Sequence, residues 1–268
     1  MSTLRHEERT YQLRGLIFEV RNELRARWSE HIYHYALERN LRKHGVPVQS
    51  KPRRSLVHRN IEIHTFEPDL IVWDTIALEL KVLPYQTEFA SEHYAQLIHY
   101  LKFYGLDLGL LVNFAPNLTK IKRVVWNEPD SDVFEDFHLI EADLTDEESR
   151  CLERIRQCAI SIAEQYGLGY SDAIYRSMLY AEFQHNDLSC RDRIDIPAKG
   201  FDTVLAYHST SELLIAEGYP VYVCSLSHRP AEYDFMRMKT YVRNLNAKFG
   251  LVINFGHKYL QIFGVDNK

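Results

Sequence analysis

Three charged residues interrupt a stretch that otherwise reads as buried strand. Residues 66–81 run Phe66-Glu67-Pro68-Asp69-Leu70-Ile71-Val72-Trp73-Asp74-Thr75-Ile76-Ala77-Leu78-Glu79-Leu80-Lys81. Two short apolar segments flank a turn near Trp73–Thr75, which is the pattern of a hairpin. Asp69 stands at the mouth of the first strand, and Glu79 and Lys81 interrupt the second. Residues two apart on a strand share a face, about 7 Å apart along it. Glu79 and Lys81 therefore look the same way, and the hairpin brings Asp69 back beside Glu79. Two carboxylates brought together repel unless a positive charge lies between them. A hard divalent cation, Mg²⁺ or Mn²⁺, takes oxygen ligands of this kind. Such an ion polarises a phosphoryl oxygen and lowers the pKa of bound water, and a lysine alongside can orient or deprotonate that water. The chemistry implied is hydrolysis of a phosphodiester. The competing reading is a buried Asp–Lys or Glu–Lys ion pair that only holds the hairpin together. Glu-x-Lys is common in strands, and taken alone it favours the ion pair.

The elements downstream weigh against that simpler reading. The pattern predicts a helix from about Thr87 to Tyr104, closed by Gly105. Within it Gln96 and Tyr100 are four apart and share one face. A glutamine and a tyrosine so placed could hold the site's water and a phosphate oxygen, or could simply mark an amphipathic boundary over a core of Leu97, Leu101 and Tyr104. A buried strand follows at Leu108–Phe114, then an edge strand at Ile121–Trp126.

Upstream, helical periodicity predicts one helix over Leu4–Arg27 and a second over His31–His44, capped by Ser29 and ended by Gly45 and Pro47. Glu30 lies in the first turn of the second helix, where a negative charge complements the helix dipole. That role needs no active site. His31, His34 and His44 read as surface or packing histidines. Strands are expected at Val46–Gln49 and Leu56–Thr65. The loop between them carries Lys51, Arg53 and Arg54, which with Arg59 are the local candidates for nucleic-acid phosphate contacts. Any solvated loop can look the same.

The chain has 268 residues, enough for one large domain or two ordinary ones. With 46% apolar and 26% charged residues the composition is that of a globular protein. No apolar run reaches membrane-spanning length, so no membrane association is expected. The four cysteines, Cys151, Cys158, Cys190 and Cys224, contain no Cys-x-x-Cys pair, which argues against zinc or iron–sulfur sites and fits a reducing cytoplasm. The net charge of −5 argues mildly against a nucleic-acid partner, but its distribution is uneven. Residues 1–126 hold 18 Lys+Arg against 14 Asp+Glu, and the remainder holds 14 against 23. The half with the candidate site is the basic one, as phosphate binding favours.

The second half replays the first. Tyr170-Ser171-Asp172-Ala173-Ile174-Tyr175 echoes Trp28-Ser29-Glu30-His31-Ile32-Tyr33, and Gly250-Leu251-Val252-Ile253-Asn254-Phe255 echoes Gly109-Leu110-Leu111-Val112-Asn113-Phe114. Tyr241 falls where Tyr100 did. Leu213–Glu217 and Val221–Leu226 resemble the hairpin, without its Glu-x-Lys, and Arg237 stands in place of Gln96. We expect a nuclease-like domain at 1–126, an acidic linker at 127–145, and a degenerate repeat without a metal site at 146–268.

Together these residues resemble the PD-(D/E)XK nuclease superfamily, and most closely its GxxExxY branch of bacterial proteins. Pro68-Asp69, Glu79-Leu80-Lys81 and Gln96-Leu97-Ile98-His99-Tyr100 match the core motifs, including the Gln-x-x-x-Tyr of RecB-like nucleases. Glu30 and Tyr33 match the Glu and Tyr of GxxExxY, while Arg27 occupies the glycine position. The resemblance covers roughly residues 10–126. It implies an α/β fold, a restriction-endonuclease-like mixed sheet flanked by helices, here duplicated in tandem with a degenerate second copy. It also implies Mg²⁺ held by Asp69 and Glu79, assisted by Glu30. Lys81 would activate water, and Gln96 and Tyr100 would contact nucleic acid or site solvent.

The leading reading is a Mg²⁺-dependent nuclease acting on DNA, with a second copy that binds substrate or a protein partner through its acidic surface. The alternative is a non-catalytic interaction module that keeps a relic metal site. A different nucleotide-hydrolysing metalloenzyme ranks below both, because no glycine-rich phosphate loop is present.

Overall fold

The computed structural model describes residues 5–25, 28–85, 88–115, 119–129 and 132–267. The chain divides into two compact units. The first comprises Met1–Leu56 and His64–Asn127, and the second comprises Val57–Ile63 and Glu128–Lys268.

In the first unit, helices α1 (Glu7–Leu24) and α2 (Glu30–Lys43) precede strand β1 (Val48–Ser50). Next come the paired strands β2 (Arg54–His58) and β3 (Ile61–Phe66), then β4 (Leu70–Val72) and β5 (Ile76–Lys81). Helix α3 (Ser91–Tyr104) crosses over to β6 (Leu108–Asn113), and β7 (Lys120–Val125) ends the unit. The sheet order is β1-β4-β5-β6-β7. All neighbours are antiparallel except β5 and β6, which run parallel because α3 connects them.

Alternation along β5 decides what each face does. Ile76, Leu78 and Leu80 join a buried core with Leu13, Ile17, Leu37 and Leu41 of α1 and α2. Ala77, Glu79 and Lys81 point the other way, toward α3. That helix lies close because β6 offers Gly109 beneath it: a Cβ there would sit 2.7 Å from the Leu97 side chain. The hairpin turn sits at Trp73 and Asp74, both left-handed (φ 53° and 54°), a geometry that matches the twist of antiparallel strands.

The second unit contributes β8 (Asp132–Asp136), α4 (Asp146–Tyr166), α5 (Asp172–His185), β9 (Cys190–Arg191), β10 (Ile194–Gly200), β11 (Thr203–Thr210), β12 (Leu213–Ala216), β13 (Tyr219–Cys224), α6 (Glu232–Leu245), β14 (Phe249–Phe255) and β15 (Tyr259–Asp266). Its sheet order is β8-β15-β14-β13-β12-β9. Leaving out β8, the order and the strand directions repeat those of the first unit. The helices repeat too, with two before the sheet and one 14-residue crossover in each unit.

Two expectations differ from what is found. The segment Leu56–Thr65 is not one strand but two, β2 and β3, folded back at Arg59 and Asn60 (φ 49° and 65°). Asparagine tolerates the left-handed region, whereas arginine carries no such signal, so the turn was hidden. The segment 127–145 is more than a linker. It contains β8, which pairs in parallel with β15 and sets Phe134 against Phe263, ring centroids 5.8 Å apart. The predicted ends of α1 at Leu4 and Arg27, and the predicted start of α3 at Thr87, lie outside the described residues.

Candidate active site

The β4–β5 hairpin gathers the charged residues. Leu70 pairs with Leu78, which puts Asp69 across from Glu79 one step further on. Asp69 Oδ2 accepts the Leu80 backbone N–H at 2.8 Å. The Asp69 carbonyl accepts from Lys51 N at 2.9 Å and lies 3.0 Å from His34 Nε2. Asp69 is thus fixed from three sides: by β5, by the basic loop and by α2. His34, expected as a surface or packing residue, is 9% exposed and positions Asp69 through its backbone.

Glu79 is 3% exposed and ion-paired with Lys81. Burial first, then the nearby negative charge of Asp69, pushes its carboxyl up to about 7, against the opposing pull of Lys81. Burial alone would lower the Lys81 ammonium. The combined attraction of Glu79, Glu30 and Asp69 overrides this and raises it. Glu30 is more than a dipole complement. Its carboxyl is raised, chiefly by burial, and it feels Lys81, Asp69 and Lys51. The N-terminus of α2 therefore delivers a third carboxylate to the same place.

Helix α3 closes the other side. Gln96 Nε2 donates to the Tyr100 hydroxyl at 2.8 Å. Burial pushes Tyr100 up to about 12, reinforced by Glu79 and Asp69 despite the Gln96 bond. The Tyr100 ring packs edge-on to Phe66.

The basic loop is split. Lys51 reaches the field of Glu30, and Arg54 lies over the Tyr104 ring, 5.3 Å from its centroid. Arg53 is exposed between them. Arg59 is elsewhere. It belongs to the second unit, where Nε and Nη2 donate to Glu182 at 2.7 and 2.8 Å. The Nε–Nη2 edge of its guanidinium is held by a buried carboxylate of the second unit, which does not support the expected phosphate contact at this site.

The sequence reading also passed over Asn113, which is 2% exposed. Its Oδ1 accepts from Leu83 N at 2.9 Å and Ala115 N at 3.1 Å, and its Nδ2 donates to Leu83 O. It ties down the chain just after Lys81. Asn254 does the same for Leu226 in the second unit. The signal was present: this asparagine is the polar member of the repeated Gly109–Phe114 and Gly250–Phe255 segments.

These asparagines register the two units. Asn113 pairs with Lys81, and Asn254 pairs with Cys224. Counting back, Tyr222 occupies the place of Glu79, and Leu213, which pairs with Tyr222, the place of Asp69. Counting from the caps Ala90 and Ala231, Arg237 stands for Gln96 and Tyr241 for Tyr100. Arg237 lies over the Tyr222 ring at 4.3 Å and bonds Glu212 at 3.2 Å. The acid pair of the first unit has no counterpart there.

A sequence model of the PD-(D/E)XK nuclease superfamily matches residues 7–124 and again residues 149–263. The chain belongs to that superfamily. Both matched segments follow the repeated element order. No curated protein matches the chain. Among solved structures it is similar to the crystal structure of SSO0001, at 20% identity and a TM-score of 0.29, over 35% of this chain and 48% of that one. The chain thus spans about half of that structure, and so slight a likeness carries no functional argument. PD-(D/E)XK proteins are generally hydrolytic nucleases. Among the described residues no helix is long and apolar enough to cross a membrane.

The site can be tested against the divalent metal that PD-(D/E)XK nucleases typically use. Among the described residues no three His, Cys, Asp or Glu side chains form a ready cage. Mg²⁺ does not need one, because it is commonly held by one or two carboxylates while keeping several waters. Asp69 and Glu79 supply all-oxygen donors, and burial first, then the Asp69 charge, raise the Glu79 carboxyl against the pull of Lys81, a penalty that a bound cation would relieve. The donor set fits a hard cation.

Proposed function

We propose that the first unit is a Mg²⁺- or Mn²⁺-dependent nuclease acting on DNA. The observation that carries this reading is the meeting of Asp69, Glu79 and Lys81 on one side of the β4–β5 hairpin, with Glu79 buried. Asp69 and Glu79 would hold the cation, with Glu30 assisting at the edge. When bound, the cation polarises the phosphoryl oxygen and lowers the pKa of water. Lys81 orients or deprotonates the attacking water. Gln96 fixes Tyr100, and their shared face of α3 meets the phosphate backbone. Lys51, Arg53 and Arg54 add positive charge on the approach.

Membership of the GxxExxY branch, with its Gln-x-x-x-Tyr motif, is supported by Glu30, Gln96 and Tyr100. Tyr33, also part of that signature, is buried against Phe114 and serves the core. Arg27, at the glycine position, lies outside the described residues. The second unit is in our reading a non-catalytic copy, because Leu213, Tyr222 and Cys224 replace the acid–acid–lysine set.

The test is cleavage of labelled DNA in Mg²⁺ or Mn²⁺. Glu79→Ala and Lys81→Ala should each abolish it, a loss of at least about a thousandfold, with the circular dichroism spectrum unchanged. Equal cleavage by wild type and both variants refutes the assignment. Wild-type protein that is inert, with no metal-induced rise in melting temperature, favours a non-catalytic interaction module instead.

A further inference from the structure

The crossover helices of the two units are capped alike, and the difference in the residue that makes the cap points to a substrate contact. Helix α3 follows Ala90 and α6 follows Ala231. An alanine cannot cap a helix with its own side chain. In each unit the residue three positions on reaches back instead. The Ala231 N–H donates to Asp234 Oδ2 at 2.9 Å. The Ala90 N–H donates to His93 Nδ1 at 3.2 Å. Capping explains why a polar acceptor is needed at this position. It does not explain histidine, because a carboxylate accepts the same bond and also suits the positive end of the helix dipole.

Histidine brings what aspartate lacks, a second nitrogen. With Nδ1 committed as an acceptor, the neutral ring carries its proton on Nε2, facing away from the cap. Burial first, and the Lys81 charge second, lower its pKa and so favour the neutral ring. His93, Gln96 and Tyr100 are spaced i, i+3 and i+7, so they form one stripe along α3. Tyr100 in that stripe already feels Glu79 and Asp69. A carboxylate at position 93 would add a further negative charge to a site that holds Glu30, Asp69 and Glu79. A neutral histidine adds an N–H donor and no charge.

We propose that His93 is a substrate-binding residue of the first unit, its Nε2–H donating to a non-bridging oxygen of the phosphodiester. This rests on the nuclease reading above and names a contact on α3 that the motif residues do not include. Such a contact exists in the bound substrate as well as in the transition state, so its loss raises KM more than it lowers kcat.

The second unit supplies the control. His93→Asp copies the cap that Asp234 makes, so α3 should stay capped in the full-length variant while position 93 presents no donor and one added negative charge. His93→Gln can cap through its carbonyl and still offer an N–H. Each is assayed for cleavage of a short fluorescein-labelled DNA oligonucleotide in Mn²⁺. We expect His93→Asp to raise KM at least about tenfold and His93→Gln to recover most of that loss, both with an unchanged circular dichroism spectrum. An unchanged KM in His93→Asp overturns the assignment while leaving the nuclease reading intact. A KM in His93→Gln as poor as in His93→Asp also overturns it, because the donor is then irrelevant. A wild-type protein that leaves the oligonucleotide whole sinks the nuclease reading and this contact together.

Discussion

The two units solve one packing problem twice and differ where chemistry is at stake. Tyr33 stacks on Phe114 with ring centroids 4.5 Å apart and planes within 3°, and Tyr175 stacks on Phe255 at 4.2 Å and 4°. Tyr33 donates to the Arg25 carbonyl and Tyr175 to the Gly167 carbonyl. Gly109 and Gly250 each leave room for the crossover helix. Against this sameness, Asp69, Glu79, Lys81 and Gln96 become Leu213, Tyr222, Cys224 and Arg237. The second unit shows that the scaffold stands without the acid pair. Burying Glu79 beside Asp69 is unfavourable to the metal-free first unit. The second unit's own buried acid lies on α5 instead, where Glu182 meets Arg59 and His58.

That contrast can be broken most forcefully at Glu182. It is 2% exposed, and its counterpart eleven residues past the cap of α2 is Asn40, half-buried on the surface. Glu182→Ala strips a buried carboxylate from Arg59 and should destabilise the second unit by about 3 kcal/mol. Asn40→Ala loses only bonds to the Leu16 carbonyl and Glu19 and should cost about 1 kcal/mol. Denaturant unfolding that gives equal losses would erase the asymmetry.

Acidity should sharpen it. The Glu79 carboxyl is raised to about 7 in the folded chain and titrates near 4.5 when unfolded, so between these values the folded state holds more protons. Metal-free first unit therefore gains stability as pH falls from 7, by about 2 kcal/mol on reaching pH 5.5. In the second unit burial lowers His58 below 6.5, so stability falls as pH drops through 6.5 toward that lowered value. Glu182, lowered chiefly by Arg59, contributes stability that is lost further down, below 4.5. Hydrogen exchange in chelator should show β5 gaining protection and α5 losing it over the same pH interval. Parallel behaviour of the two would contradict these assignments.

The smallest effect tests the sameness. Tyr33→Phe and Tyr175→Phe keep the stacked rings and delete one hydroxyl bond each, a loss of about 1 kcal/mol in either unit. Losses that differ severalfold would mean that the two stacks do not carry equal weight.

The legible parts of the fold were those with strong periodicity or punctuation. The helices α1 to α3, the β4–β5 hairpin and strand β6 follow from apolar spacing and from Gly45 and Gly105. The repeat followed from two short echoes, and each holds one partner of the Tyr–Phe stack. Hidden parts depended on contacts distant in sequence. The Arg59–Asn60 turn has a left-handed arginine whose partner is 123 residues away. Strand β8 has no alternation of its own and exists through its pairing with β15. At the site, Asp69, Glu79 and Lys81 were readable from spacing. The placement of Glu30 was not, because a glutamate in a first turn is explained locally.

The hairpin formed by β2 and β3 carries a practical lesson for anyone dividing the chain. Val57–Ile63 are numbered with the front half but fold into the back half. There His58 Nδ1 lies 2.9 Å from the Tyr166 hydroxyl, beside the Arg59–Glu182 pair. A plasmid encoding only 128–268 would yield a polypeptide lacking part of its own interior, with Glu182 deprived of Arg59 and His58 and left with Asn186. Severed at the apparent seam, the back half should unfold at lower denaturant until a synthetic peptide spanning 54–66 is supplied in trans.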